Sequence, residues 1–458
     1  MTKLWGSRFK AGTSKLADKF TFSISYDQRL AKYDVLGSIA HAQMLGKCRI
    51  IPQGDAAKIV GGLKKILKQI EEGKFKFNPK EEDVHSNIQT VLKNLIGAPA
   101  DKLHTARSRN DQVVLDVKMY CKEEIANVSI AVGNLQKAIL NFAKANQDVV
   151  IPAYTHLQAA QVVLLAHHML AYVEMLERDK LRLFGCWNHT NAMPLGSCAL
   201  SGTSLPTDRT FVAKQLDFAH VSANSMDAVS DRDFLVEFIA DLSMLAMHLL
   251  RMSEDLILWA SKEFDFIDID WAFCTGSSIM PHKKNPDVLE LMRGTTAQFP
   301  AAFVEIFTLL KALPLTYNRD MQLDKPVLFR SVEAAKDMLE VMAGVFGNLK
   351  AKKGVIAARL FKDESFFSVD VMEYLIKKGV SYREAHDTIG RMVKECLDEG
   401  KKLSGLSLAE LKGFSKHFDS DVKILFNPQM SVKIKRSLGS TNPQLVDQQL
   451  KIWQKKLK

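Results

Sequence analysis

Apolar positions recur along most of this chain at the three- and four-residue spacing of helices. Over 55–72, Ile59, Leu63, Ile66, Leu67 and Ile70 share one face, with Lys or Glu opposite, which predicts a short amphipathic helix. Three much longer periodic segments follow, over 111–147, 158–190 and 228–262. In the last, Phe234, Phe238, Leu242, Leu245 and Leu249 keep the helical spacing. The flanking Leu235, Ile239, Met244, Met247 and Leu250 are apolar as well. A helix apolar nearly all round is buried by other helices or by other subunits. Residues 288–312 and 330–350 also read as helical, with Pro300 as a kink. A helix of some 35 residues is a rod of about 50 Å, and several such rods in sequence predict an elongated bundle. No alternating strand array and no repeat period interrupts them.

The pattern predicts an all-α subunit in three parts: an N-terminal helical cap over 1–107, a central long-helix bundle over 108–360, and a C-terminal helical domain over 361–458. The basic, polar stretch 351–364 reads as a hinge. Composition agrees. The 458 residues hold only 24 Gly and 13 Pro, and 47% hydrophobic with 25% charged residues is an ordinary globular balance. The net charge of +10 leaves several partners open. The lysines, however, are spread beside glutamates and are not gathered with stacking aromatics, so nucleic acid is not an expected partner. The six cysteines are isolated, with no CxxC and no HExxH, so neither a metal site nor a disulfide framework is expected. The first residues lack the apolar core of a signal peptide. No uncharged run nears the ~20 residues of a membrane span. A cytoplasmic protein without a membrane partner is expected.

Candidate chemistry gathers at helix boundaries. In "HTARSRNDQ" (His104–Gln112) two arginines, a serine and an asparagine precede a long helix. Asn110 reads as its N-cap, and Ser108 and Arg109 stand where free N–H groups and a guanidinium can hold a carboxylate or phosphate. In "IPAYTHLQAAQ" (Ile151–Gln161), Thr155 and His156 stand where a loop enters the next long helix. A histidine there can give or take a proton. The His167-His168 doublet reads as packing. The segment "GSSIMPHKKNPD" (Gly276–Asp287) couples a flexible start to Lys283 and Lys284. Asn285 as N-cap and Pro286 at the first helical position make it end on a helix N-terminus. The P-loop pattern is absent. In "LTYNRDMQLDKP" (Leu315–Pro326), Tyr317, Arg319, Gln322 and Lys325 form a polar cluster between apolar helices. Each box alone also fits a capped helix or a surface loop. Four of them, each beside an apolar rod, favour an anion-binding site.

"GSSIMPHKKNPD" resembles the signature loop of the fumarase/aspartase superfamily. "HTARSRNDQ", "YTHLQ", "LTYNRDMQLDK", "YREAHDTIG" and the N-terminal "KLWGSRF" are similar to the argininosuccinate lyase and delta crystallin family, in its order and over nearly the whole chain. The resemblance implies a homotetramer with a twenty-helix core built from all four chains, active sites each shared by three subunits, and no metal or organic cofactor. It implies reversible cleavage of argininosuccinate to arginine and fumarate. Ser277 would be the base and His156 the partner acid, with Glu290 orienting His156. Lys283 and Asn285 would hold the carboxylate beside the developing carbanion. Ser23, Ser108, Arg109, Asn110, Thr155, Tyr317, Gln322 and Lys325 would contact substrate, with His85 and Arg232 as further candidates. Other fumarate-releasing lyases of the superfamily and a catalytically idle crystallin-like homologue are the alternatives. Two positions depart from the expected pattern: Ala106 stands where Gly is expected and His282 where Gln is expected.

Overall fold

The computed structural model describes residues 14–457; the "KLWGSRF" motif lies outside them. Helices dominate, as the periodicity predicted. The longest are Arg109–Ala145, Leu165–Thr190, Asp233–Ala260 and Asp324–Asn348. The short amphipathic helix is Gln53–Glu71, with Ile59, Leu63 and Ile66 fully buried. In Asp233–Ala260, Phe234, Phe238, Leu242, Leu245 and Leu249 are all buried, together with Leu235 and Ile239.

Internal contacts divide the chain into two compact units, each built from three stretches. One comprises the described part of Met1–Ser129 with Leu181–Ser243 and Gln298–Ala334. Its main core joins Val35, Leu45, Ile59, Leu63, Leu92 and Leu115, and a smaller cluster joins Ile239, Ala302, Ile306 and Val327. The other comprises Ile130–Lys180, Met244–Ala297 and Ala335–Lys458. There the C-terminal helix Pro443–Lys456 is held by Trp453 Nε1, which donates to Glu174 at 3.0 Å, and by Lys456, 2.8 Å from Glu177. His168 packs as expected. Its acidic partner Asp255, at 2.8 Å, comes from a helix distant in sequence, and its ring lies 4.7 Å from that of Trp259.

Three expectations are corrected. Residues 158–164 do not open the long helix. They are the second strand of an antiparallel hairpin, Val150–Thr155 with Gln158–Leu164. The β-branched Val150, Ile151, Val162 and Val163 fit a pleated, half-buried surface, and the helix starts only at Leu165. Next, 288–312 is two helices, Asp287–Thr295 and Gln298–Leu310, interrupted at Thr296-Ala297. Pro300 causes no kink, because it sits in the first turn, where its missing N–H has no partner to lose. Finally, 351–364 is mostly the helix Lys353–Lys362, whose Ile356 and Leu360 are buried on one face. Of the lysines that suggested a hinge, Lys353 and Lys362 are exposed on the helix and Lys352 is bonded to Asp265.

Candidate functional site

In the first unit, Ser108 caps the Arg109–Ala145 helix and Asn110 does not. The Ser108 hydroxyl accepts from Asn110 N–H at 3.2 Å, and Ser108 N–H donates to Asp111 Oδ1 at 2.9 Å. Asn110 lies inside the first turn and donates its side-chain amide to the Ala199 carbonyl at 2.9 Å. Asp111 Oδ2 collects the N–H groups of Gly196 and Cys198 at 2.9 and 2.7 Å. Burial still raises its carboxyl to about 6, against these three N–H bonds. Ala106 has φ 56°. A left-handed backbone explains why glycine is expected there.

Arg109 Nε reaches Asp83 Oδ2 at 3.1 Å and its Nη2 reaches Ser86 Oγ at 3.0 Å. Asp83 is also the N-cap of the Val84–Ile96 helix. Ser23 is buried and donates to Asp27 Oδ2 at 2.5 Å, while its N–H donates to the Glu82 carbonyl at 2.9 Å. Arg319 bonds the Glu82 carboxylate at 2.8 Å and the Thr21 carbonyl at 2.9 Å; Gln322 bonds the same carbonyl at 2.9 Å. The structure therefore ties Ser23, Arg109 and Gln322 to two short, linked runs of chain, Thr21–Ser23 and Glu82–Asp83. Asp324 joins the basic candidates: Arg232 Nε is 2.6 Å from its Oδ2 and Lys325 Nζ is 2.7 Å from its Oδ1, all buried. Burial opposes the Asp324 charge, but the two cations outweigh it and lower its pKa. Arg232 Nη2 is buried without a partner among the described residues. Tyr317 is held above the usual tyrosine range by burial and then by the Asp324 charge.

His85 lies at the heart of this unit. Its Nδ1 is 2.8 Å from Asp34 Oδ1 and 3.7 Å from Asp116 Oδ2. The ring lines a cavity of about 230 Å³ together with Asp34, His104, Arg107, Arg109 and Gln112. Ligand atoms of Asp34, His85 and Asp116 lie within 4.8 Å of one another, a spacing that a metal ion could bridge. Sequence reasoning missed Asp27, Asp34, Asp83, Asp116 and Asp324, the carboxylates that hold these basic and polar groups. Asp34 and Asp116 did leave a signal, since each is an acid set among apolar helix neighbours, Tyr33 and Val35 or Leu115 and Val117.

In the second unit, His156 is at the tip of the hairpin. His156 and Leu157 have φ of 56° and 58°, and Thr155 pairs with Gln158 across them. Two successive left-handed residues make the turn that matches strand twist, usually with Asn-Gly. A His-Leu pair there is strained. His156 is exposed and makes no hydrogen bond or ion pair with any described residue, Glu290 included. Glu290 is exposed on the Asp287–Thr295 helix.

The Gly276–Asp287 loop is closed at its neck. Thr275 and Asn285 exchange backbone hydrogen bonds at 3.1 and 2.8 Å. That pairing uses Asn285 where a side-chain cap was expected. The helix begins one residue later, at Asp287, with Pro286 in the cap position. Within the loop, Ser277 Oγ accepts the N–H groups of Met280 at 3.1 Å and Ile279 at 3.4 Å. The two lysines differ. Lys284 is anchored, 3.0 Å from Asp268 and 4.5 Å from the Trp271 ring centre. Lys283 is exposed and has no ionic partner among the described residues.

By the family model that it matches, this helical chain is a lyase. The family model described as Lyase matches residues 7–300, and that described as Argininosuccinate lyase C-terminal matches residues 367–433. The chain belongs to the argininosuccinate lyase family. It is 48% identical to an argininosuccinate lyase of Geotalea daltonii, over 96% of both chains. It is likewise 48% identical to that of Symbiobacterium thermophilum, over 98% of this chain and 97% of the relative. Among solved structures, an EDDS lyase in complex with formate superposes with a TM-score of 0.84 at 25% identity, covering 98% of this chain and 90% of its own.

Proposed function

We infer that the protein is a carbon–nitrogen lyase that cleaves argininosuccinate reversibly to arginine and fumarate by acid–base elimination through a carbanion. The observation that carries this reading is 48% identity along almost the whole length of argininosuccinate lyases. Ser277 is the proposed base. A neutral hydroxyl is a poor one, and the two N–H groups already aimed at Ser277 Oγ favour its ionised form. Lys283, unlike its anchored neighbour, is available for a substrate carboxylate, and Asn285 stands at the loop neck beside it. Cations and N–H groups placed before the reaction stabilise the charge of the developing carbanion. His156 is the proposed acid for the departing guanidino nitrogen, with Glu290 orienting it. Ser23, His85, Ser108, Arg109, Asn110, Thr155, Arg232, Tyr317, Gln322 and Lys325 are the proposed substrate contacts.

These residues fall into two sets: Ser23, His85, Ser108, Arg109, Asn110, Arg232, Tyr317, Gln322 and Lys325 in one unit, and Thr155, His156, Ser277, Lys283, Asn285 and Glu290 in the other. That split, and the lack of a His156–Glu290 bond within the chain, support a homotetramer whose sites draw on three subunits. Leu181, Phe184, Val304 and Phe307 are each more than half exposed on their helices, which supports burial against further copies. Among the described residues no helix is long and apolar enough to cross a membrane. The cytoplasmic location expected from sequence is part of the proposal, and the six free thiols fit a reducing compartment.

The test is to supply argininosuccinate, adenylosuccinate, malate and aspartate separately and follow fumarate. Argininosuccinate should be the productive substrate, and absence of fumarate from it would refute the assignment.

A further inference from the structure

The proposed chemistry leaves the buried acids behind His85 unexplained. Asp34, His85 and Asp116 come from three helices, Ala31–Lys47, Val84–Ile96 and Arg109–Ala145. They are 2%, 4% and 0% exposed. Asp34 Oδ1 accepts from His85 Nδ1 and from the Gln112 amide. Neither carboxyl oxygen of Asp116 receives a hydrogen bond from any described N–H or O–H donor. An ionised carboxylate buried in that state is very costly, and two carboxylates sharing one site do not both ionise. Two cations, Arg107 and Lys325, face the pair without a hydrogen bond to Asp116. Arg107, from the turn before the long helix, donates to Ser38 Oγ at 2.8 Å, and Lys325, from the Asp324–Asn348 helix, is bonded to Asp324. On the cavity wall Asp101 is paired with Lys93 and Arg109 with Asp83, and His104 is kept at about 4 by burial and by Arg107, so it is neutral near pH 7.

The two acids respond oppositely. Burial and the Asp34 charge hold the Asp116 carboxyl well above the usual range. For Asp34 burial is outweighed by His85, Arg107 and Gln112, which bring it to about 2. A proton on Asp116 converts an acceptor without a donor into a donor, and ligand oxygens of Asp116 and Asp34 lie within 4.8 Å of one another beside His85.

We propose that Asp34 and Asp116 share one proton and act as a positioning unit for His85. Asp34 then stays ionised and accepts the His85 Nδ1 proton, which fixes the ring and its tautomer and leaves Nε2 as the nitrogen open to substrate. Asp116 touches no substrate; it acts by holding Asp34. This rests on His85 being a substrate contact in the lyase reading.

The test compares Asp116→Asn with Asp116→Leu in the full-length protein. An asparagine amide can donate to Asp34 as a protonated acid does; leucine fills similar space and cannot. Difference infrared spectra in H₂O and D₂O at neutral pH should show the carbonyl stretch of a protonated carboxyl in the unsubstituted protein, lost in the asparagine variant. Asp116→Leu should lower kcat/KM for argininosuccinate about tenfold or more, the scale of a lost charge-assisted hydrogen bond. Asp116→Asn should restore most of that loss. The proposal is overturned if asparagine is as damaging as leucine in a folded tetramer, or if no such band depends on Asp116. It is also overturned if metal analysis finds one divalent cation per chain that Asp116→Asn removes. Should the leucine variant fail to fold, the infrared comparison with asparagine decides alone. The infrared band needs no substrate, so an enzyme that does not cleave argininosuccinate would sink the lyase reading and leave the shared proton standing or falling by itself.

Discussion

Buried ionisable side chains are where this protein departs most from its composition. His41 is almost fully buried. Its Nε2 lies 2.8 Å from the Thr105 carbonyl and its Nδ1 has no partner among the described residues. Burial first, then Arg107, lowers it from 6.5 to about 3, with the Thr105 carbonyl opposing. The folded state thus binds its proton less tightly than the unfolded chain. Its contribution to stability is complete above pH 6.5 and is lost as the pH falls from there toward 3. In that window it should contribute a slope of about 1.4 kcal/mol per pH unit. Denaturant midpoints measured across the range should show that slope missing from a His41→Gln variant, which keeps a donor for Thr105. At the proposed catalytic centre, Ser277→Ala and His156→Asn should each reduce kcat by roughly 10²–10⁴-fold. Steady-state assays of folded variants check this, and near-normal turnover in either removes that residue from its proposed role.

Elements show where helical periodicity is a sufficient guide and where it is not. The helices over 53–71 and 233–260 follow from apolar spacing alone, because one face or the whole rod must be buried. The hairpin over 150–164 was not legible. Its apolar run is short, and such runs do not separate strand from helix by period. The strained His156-Leu157 turn carries none of the Asn or Gly that usually signals one. The cap positions slipped by one or two residues for a similar reason: Ser108 and Asn110, or Asn285 and Pro286, are near neighbours in sequence that only the backbone geometry distinguishes. The crossing of Ala31–Lys47 with Gln53–Glu71 gives a sharper test. A methyl on Gly46 would lie 2.7 Å from the Ala56 Cβ, which cannot rotate away, whereas one on the exposed Gly61 meets nothing within 4 Å. Gly46→Ala should therefore destabilise by about 1–3 kcal/mol, and Gly61→Ala should stabilise by roughly 0.5–1 kcal/mol. Equilibrium denaturation of the two single variants should give opposite signs.

At the scale of the whole molecule, the proposed site residues divide between the two compact units. Arg109, Asn110 and Gln322 belong to one compact unit; His156, Ser277 and Lys283 belong to the other. If sites are shared between subunits as proposed, an inactive Ser277→Ala chain and an inactive Arg109→Ala chain carry complementary defects. Co-refolding the two should restore a fraction of wild-type turnover, because some sites then receive an intact residue from each chain. Activity that stays at the level of the separate variants would place every site within one chain.

The sequence by itself determined the helical class, the long buried rods, and the residue types of the proposed site. Each follows from short-range pattern: helical spacing exposes or hides a face, and a loop ending on a helix start is written in adjacent residues. Only the tertiary structure decided which acid answers which base. Asp324 with Arg232, and Asp34 with Asp116 behind His85, bring together residues dozens of positions apart. The cost of an unpaired charge exists only once burial has removed the water, and burial is a property of the packed helices.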